Sequence, residues 1–511
     1  MSRLHLVVPM TALIACAPAA PGRAASPGIA VEAPSAAPAS PTPTVAPDEA
    51  FREKPPPAAE SSPYVPPSAV REHLGNGMSV LLVPSPSRFC TITVVAAGGM
   101  ADVSPSRQDK VDVVDVMLSA MTSGAIWRDK SNFEDRFRAV EMPAPTWSRF
   151  MDGVDFSASI PKEHFAEGAG LLADFIMGSA FDAGRFERAR EQDARSLDDS
   201  PTDGARVAEQ VLGRALFGSH VYGPLATAAH TRAVKRDDVS ALHARLFQPS
   251  RISIVVAGDL QPKEALVALE NSFGKAPAGG TSAPVAPAPP LPAGPAIVVV
   301  DKPAVNAAFI AAGFLGPAAG AEDLIAARMA MNIAMNTVLG RGTRLRDLKL
   351  VPWTAAVMWS WRSAGEFGWR AGTTTENVVA LLLEADQIMN GLATDGPTED
   401  EVDVMRKWMA TEAISDFATP QRIAGSYADR IDLGLPDESI LSIPARVAAV
   451  TAADVRAAAA KYLLRSRMRV VVVGDLAALR GPLAKIGGGS IEVRDANGEI
   501  VRAAGSLAAS R

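Results

Sequence analysis

The sequence predicts an α+β protein made of two homologous halves. Three observations carry this. The stretch SRISIVVAGDL (250–260) returns as SRMRVVVVGDL (466–476). The match widens to AVKRDDVSALHARLFQPSRISIVVAGDL (233–260) over AVTAADVRAAAAKYLLRSRMRVVVVGDL (449–476), at a constant offset of 216 with 13 of 28 residues identical. VLLVPSPSRFCTITVVAAGG (80–99) also lies over IVVVDKPAVNAAFIAAGFLG (297–316), at an offset of 217. Self-similarity at a fixed period signals a repeated structural unit. Each copy mixes short apolar strands with longer helical patterns, so each half is expected to be a mixed or antiparallel sheet packed with helices. A linker would join the halves into a clamshell.

Along the chain, residues 1–15 read as a signal segment: Arg3 precedes the apolar run LVVPMTALIA, which is too short to span a bilayer. Residues 16–67 are rich in Ala, Pro, Ser and Thr and poor in large apolar residues, which predicts a disordered tether. The first half occupies 68–275. Asn76-Gly77 marks a turn, then SVLLVP and FCTITVVAAGG read as strands. Val113, Val114, Met117, Leu118 and Met121 recur at helical spacing; GVDFSASIP reads as a strand and HFAEGAGLLADFIMG as a helix. Residues 276–295 (APAGGTSAPVAPAPPLPAGP) form a Pro/Gly-dense exposed linker. The second half follows at 296–485. The tail, 486–511, is expected to be a loose flap holding a hairpin with its turn at Asn497-Gly498.

With 48% hydrophobic residues the chain can build a large core. A formal net charge of −6 with scattered basic residues gives no footprint for nucleic acid. Of two cysteines, Cys90 sits in a strand-like run and reads as a buried, inert thiol. The six histidines show neither H-E-x-x-H nor H-x-x-E-H spacing, and no Ser is flanked by glycines as a nucleophile elbow requires.

The order of NGMSVLLVPSPS, LFGSHVYGPLAT, the duplicated strand ending in Gly-Asp, VLGRGTRLRDLKLVPW and GPTEDEVDVMRKWMATEAISDFATPQRIA resembles the pitrilysin/insulinase family of zinc metallopeptidases, over roughly residues 70–485. The resemblance implies an H-x-x-E-H motif on the first long helix, where two His on one face hold zinc and the Glu activates water, with a third ligand from a later helix. The motif positions fall on Asp115-Val116-Met117-Leu118-Ser119: Asp115 and Ser119 stand for the imidazoles and Leu118 for the Glu. Glu191 and Asp193 are candidates for the later ligand. Asp112, Asp115 and Ser119 share a helix face and could hold Ca²⁺ or Mg²⁺ weakly, but a solvated acidic face near a helix start is the simpler reading. The family's substrate-contacting Arg and Tyr correspond to Arg346 and Trp353; an indole offers only a donor N–H and no phenol oxygen. No cofactor is expected, although the family's would be zinc.

The resemblance therefore implies a non-catalytic homologue, the degenerate partner of an active insulinase-like peptidase subunit that helps hold a peptide or unfolded polypeptide. A peptide-binding envelope scaffold and a zinc endopeptidase with an atypical metal site are the alternatives. Leu13-Ile14-Ala15-Cys16 resembles a bacterial lipoprotein box. It implies lipidation at Cys16, a membrane contact through the lipid, and a periplasm-facing place in the bacterial envelope, at the outer membrane; an ordinary secretory signal cut nearby is the other reading.

Overall fold

Each Val-rich run becomes a central strand because both of its faces are covered. The computed structural model describes residues 66–103, 112–122, 133–198, 203–223, 226–292, 296–303, 305–486, 490–495 and 498–506. Residues 1–65, on which the readings of a signal segment, of lipidation at Cys16 and of most of the tether fall, lie outside the described residues.

The first half contains β1 (Val70–His73), β2 (Ser79–Pro84), β3 (Phe89–Ala97), α1 (Val113–Thr122), α2 (Phe133–Ala139), β4 (Thr146–Arg149), β5 (Gly153–Pro161), α3 (Phe165–Met177), α4 (Ala183–Asp198), α5 (Gly204–Phe217), α6 (Ala228–Ala233), α7 (Arg236–Leu246), β6 (Ile252–Gly258) and α8 (Pro262–Ser272). The second contains β7 (Ile297–Asp301), β8 (Ala307–Gly316), α9 (Leu324–Met335), α10 (Thr343–Asp347), β9 (Trp353–Ser360), β10 (Gly365–Thr374), α11 (Val378–Thr394), α12 (Glu399–Ser415), α13 (Pro420–Asp432), α14 (Ile443–Ala449), α15 (Ala452–Tyr462), β11 (Arg469–Gly474) and α16 (Leu476–Ile486). The hairpin β12 (Ser490–Arg494) and β13 (Ile500–Ser506) closes the order.

The duplication runs further than the sequence match. Helices α4, α5 and α7 begin 216 residues before α12, α13 and α15. The caps repeat too: Asp203 accepts from the amides of Ala205 and Arg206 to start α5, and Thr419 accepts from Arg422 to start α13.

One sheet runs β1-β2-β6-β3-β5-β4 and the other β13-β12-β7-β11-β8-β10-β9. In the first, β2 and β6 are parallel and the remaining pairs antiparallel; in the second, β7 lies parallel to β11 and to β12. Val80 and Leu82 of β2 enter the core of their own half, whereas Leu81, Val83, Val95 and Val255 share an apolar cluster with Ile423, Ala424 and Tyr427 of α13, which packs on β3 and β6. Reciprocally, Val471 and Val473 of β11 pack with Val207, Val211 and Leu212 of α5. The halves thus exchange equivalent helices, each sheet covering its second face with a helix of the other half. Strands buried on both faces read as unbroken apolar runs, which explains VVVV at 470–473.

Two expectations change. The linker is more than a hinge: its carbonyl groups accept hydrogen bonds from Arg251 (to Thr281, 2.9 Å), His220 (to Pro287, 2.7 Å), Ser363 (to Ala286) and Arg469 (to Pro292). Donors from both halves strap it down. The C-terminal hairpin is not a loose flap, because β12 pairs in parallel register with β7, Ile491 opposite Ile297, and extends the second sheet.

Candidate functional site

Helix α1 forms because its apolar residues recur at helical spacing: Val114, Val116, Met117, Leu118 and Met121 are all at most 1% exposed. The remaining face is polar: Thr122 bonds back to the carbonyls of Leu118 and Ser119, and the other polar groups are taken by neighbouring elements. Arg149 Nε of β4, the outermost strand of the first sheet, donates to Asp115 Oδ1 at 2.6 Å. Ser119 Oγ donates to Asp193 Oδ1 of α4 at 2.9 Å. Just before α1, Thr231 Oγ1 of α6 donates to Asp112 Oδ2 at 2.7 Å. Leu118 is fully buried.

These environments set the charges. Burial pushes Asp112 up to about 7, against the opposing hydrogen bond from Thr231. Burial also pushes Asp193 up to about 6, against the bond from Ser119. Asp112 Oδ1 and Asp193 Oδ2 are buried and have no hydrogen-bond partner among the described residues. Glu191, two residues before Asp193, points elsewhere. It accepts from Arg232 and Arg195, whose guanidinium groups hold its carboxyl below the usual range.

Of the two acids that the resemblance offered as a later ligand, Asp193 bonds Ser119 of α1, whereas Glu191 is paired with Arg195 and Arg232. The set does not fit zinc. It offers carboxylate and hydroxyl oxygens where zinc takes imidazole or thiolate, and Leu118, which the resemblance aligns with the water-activating Glu, is buried hydrocarbon. Among the described residues no group of three or more His, Cys, Asp or Glu is arranged to hold a metal ion. Asp112, Asp115 and Ser119 are each engaged by a different partner, Thr231, Arg149 and Asp193. The sequence reading missed Arg149 and Thr231.

Two of the histidines are engaged in structure. Tyr222 N donates to His220 Nδ1, so Nε2 carries the proton donated to Pro287 O. His243 Nε2 donates to Ile176 O, and burial lowers its pKa. Cys90 is fully buried, and burial raises its thiol to about 11.

In the second half, Arg346 lies exposed on the short α10 with its Nε 4.0 Å from Asp347 Oδ1. Trp353 opens β9, the outermost strand of the second sheet, and is 43% exposed. Its indole lies over the backbone of Gly372, where a Cβ would come within 3.1 Å of Nε1. Nothing brings Arg346 or Trp353 into contact with Asp115, Ser119 or Asp193. Both halves thus end in an edge strand with a half-exposed aromatic face, Trp147 on β4 and Trp353 with Trp359 on β9.

Residues 233–408 match the family model of the peptidase M16 inactive domain. No curated protein matches the chain. Among solved structures, the fold is similar to a peptidase M16 inactive domain from Pseudomonas fluorescens, at 18% identity and a TM-score of 0.73, covering 80% of this chain and 98% of that one. It is similar to a protease from Helicobacter pylori at 16% identity and a TM-score of 0.72, covering 80% and 100%. A chain in complex III2 from Candida albicans, solved with Inz-5 bound, superposes with a TM-score of 0.67 at 13% identity, covering 81% and 97%.

Proposed function

We propose that this chain, a degenerate relative of the pitrilysin-type M16 peptidases, works as the non-catalytic partner of an active zinc peptidase of the same fold and helps enclose an extended polypeptide. The observation that carries the reading is the locking of the eroded motif. Asp115 is held by Arg149, Ser119 by Asp193, and Leu118 is sealed in the core. Side-chain pairs occupy the place of a metal and its water, so what remains of the family's equipment is a wall with edge strands. An extended peptide can add to such an edge through main-chain hydrogen bonds. In the same reading the chain is exported and held by a lipid on Cys16 in the bacterial envelope, facing the periplasm at the outer membrane.

The test is direct. Elemental analysis of the purified chain and a peptidase assay on denatured casein are run alone and after co-expression with an H-x-x-E-H peptidase from the same genome. Metal-free, inactive protein that co-purifies with the peptidase and raises its turnover is the expected result. Stoichiometric zinc with activity from this chain alone would overturn the non-catalytic reading, and failure to form any complex would overturn the partnership. A peptide-binding scaffold without a peptidase is the second reading, favoured by the exposed Trp353 and Trp359 on β9; peptide binding by the isolated chain in the absence of any complex would select it.

A further inference from the structure

The strands that end the two sheets are not alike. Among the described residues, β1 and β4 end the first sheet and β13 and β9 the second. Proteins blunt such ends, because a row of unpaired N–H and C=O groups is a template for another chain. β1 carries Arg71, Glu72 and His73 within its four residues. β4 is as short and ends in Arg149. β13 meets β12 with two register shifts, irregularities that twist an edge away from a partner. β9 has none of these guards. Its eight residues, WTAAVMWS, include no charge, proline or glycine. They pair with β10 in unbroken register, from Trp353 opposite Gly372 to Ser360 opposite Gly365. We infer that β9 takes up an extended polypeptide segment whose apolar residues are consecutive, added to the second sheet as a further strand. The inference rests on the reading that this chain holds a polypeptide, and it names the strand and the class of sequence.

Register decides what each face offers, because residues directly opposite one another share a face of the sheet. Gly372, the partner of Trp353, lies opposite Phe309, and Phe309 opposite Val473, which belongs to the apolar cluster of α5. Trp353, Ala355, Val357 and Trp359 therefore look to the α5 side. Met358 lies opposite Phe367 and Phe367 opposite Phe314, both in the core that contains α9. Thr354, Ala356 and Met358 look to that side. No residue of β9 is buried, and its two indoles are 43% and 42% exposed. A strand laid along β9 would set one row of side chains beside the indoles, Ala355 and Val357. Its other row would lie beside Ala356 and Met358.

Charge selects the occupant. Neither row of β9 carries any, and the Glu366 and Arg370 of neighbouring β10 are buried and bonded to each other. A charged ligand side chain in either row would give up water without gaining a partner, whereas apolar side chains in both rows leave water together. In strand addition the main chain supplies the hydrogen bonds and the side chains the selectivity. The first half shows the alternative. By sheet order and chain order β9, α9 and α12 are the counterparts of β4, α1 and α4. There Arg149 bonds Asp115 and Ser119 bonds Asp193, closing the place with polar pairs. In the second half α9 packs on both β9 and α12, and Met358 of β9 and Trp408 and Met409 of α12 stay partly exposed against its core. Thioether side chains adapt to apolar partners of varied shape.

The experiment uses the full chain and two fluorescein-labelled peptides of one composition, read by fluorescence polarisation. Lys-Ser-Val-Leu-Val-Leu-Val-Ser-Lys holds its apolar residues in one block, and Val-Lys-Leu-Ser-Val-Ser-Leu-Lys-Val alternates them with polar ones. The block should bind at least about tenfold more tightly, the worth of one further buried apolar side chain. The block peptide N-methylated throughout its apolar run cannot donate to the edge and should not bind. Val357→Lys puts a charge on a partly exposed edge residue and should abolish the preference while the unfolding temperature stays the same; Trp359→Ala should weaken the block peptide. Val501→Lys on β13 should change neither affinity. Equal binding of the two peptides, a preference that survives both β9 substitutions, or the same loss from Val501→Lys overturns the inference and leaves the polypeptide-holding reading standing. Folded chain that binds neither peptide nor denatured casein overturns both.

Discussion

The two halves solve one packing problem with opposite chemistry. In the first, the helix after the second long strand, α1, meets α4 through a polar seam in which Ser119 bonds Asp193, while Asp112 and Asp115 turn to Thr231 and Arg149. In the second, the corresponding α9 is buried along eleven of its twelve residues, Met329, Met331, Ile333 and Met335 among them. On α12, the position 216 residues after Asp193 is Met409, packed against the same core. The one cation of α9, Arg328, is pushed down to about 10 by burial, against the attraction of Asp429 and Asp416. Since hydrocarbon serves the second half well, the fold does not require carboxylates at this seam. In the first half the carboxylates are instead held by internal hydrogen bonds from Ser119, Arg149 and Thr231.

The largest break in this comparison comes from placing the first half's chemistry in the second. Ile333 is 1% exposed among methionines. Ile333→Asp would strand a carboxylate in hydrocarbon and should cost roughly 4 kcal/mol or more, seen in urea or thermal unfolding. The reverse change, Asp115→Leu, removes a partly exposed ion pair and should move stability by less than about 1 kcal/mol. Comparable losses from both substitutions would show that the two seams are not the contrast described.

A second difference is in pH response. Folded Asp112 keeps its proton to about 7, whereas an unfolded Asp releases it near ~4. Between those values the folded state binds more protons than the unfolded one, so stability falls as pH rises through that window. Asp193, raised to about 6, adds the same sign over a narrower range. Asp112→Asn should flatten the curve between pH 5 and 8 and raise stability at pH 8 by on the order of 2 kcal/mol, measured as urea unfolding at each pH. A variant with the same slope as the parent would place the charge of Asp112 outside the balance. The methionine seam of the second half has no such slope to remove.

The strength of each signal explains what the sequence revealed. The repeat was legible because strands buried on both faces are apolar at every position, so the two Val-rich runs match residue by residue. The exchange of α5 and α13 was not, because an amphipathic helix carries the same pattern whichever sheet it covers. The hairpin at 490–506 was read as a turn between short strands, but its pairing with β7 joins residues nearly two hundred positions apart. Arg149 and Thr231 were invisible for the same reason, lying 34 and 119 residues from the carboxylates they engage. Glu191 and Asp193 could not be separated by type. Two residues apart on a helix they face different directions, and only the packing of α4 on α1 decides between them.

The smallest effect tests the seam atom by atom. Asp193 Oδ2 already lacks a partner among the described residues, and Ser119 supplies the bond to Oδ1. Ser119→Ala removes that donor, so the carboxylate should become harder to ionise and the variant should lose about 1 kcal/mol at pH 8. Below the point where Asp193 holds its proton the charged acceptor is gone, and the loss should shrink by pH 5. Met409→Ala, its counterpart on α12, deletes buried hydrocarbon and should cost the same at either pH. Paired unfolding curves at pH 5 and 8 read both. A pH-independent loss for Ser119→Ala would mean that the hydroxyl merely fills space, and the first seam would then be hydrocarbon packing in all but composition.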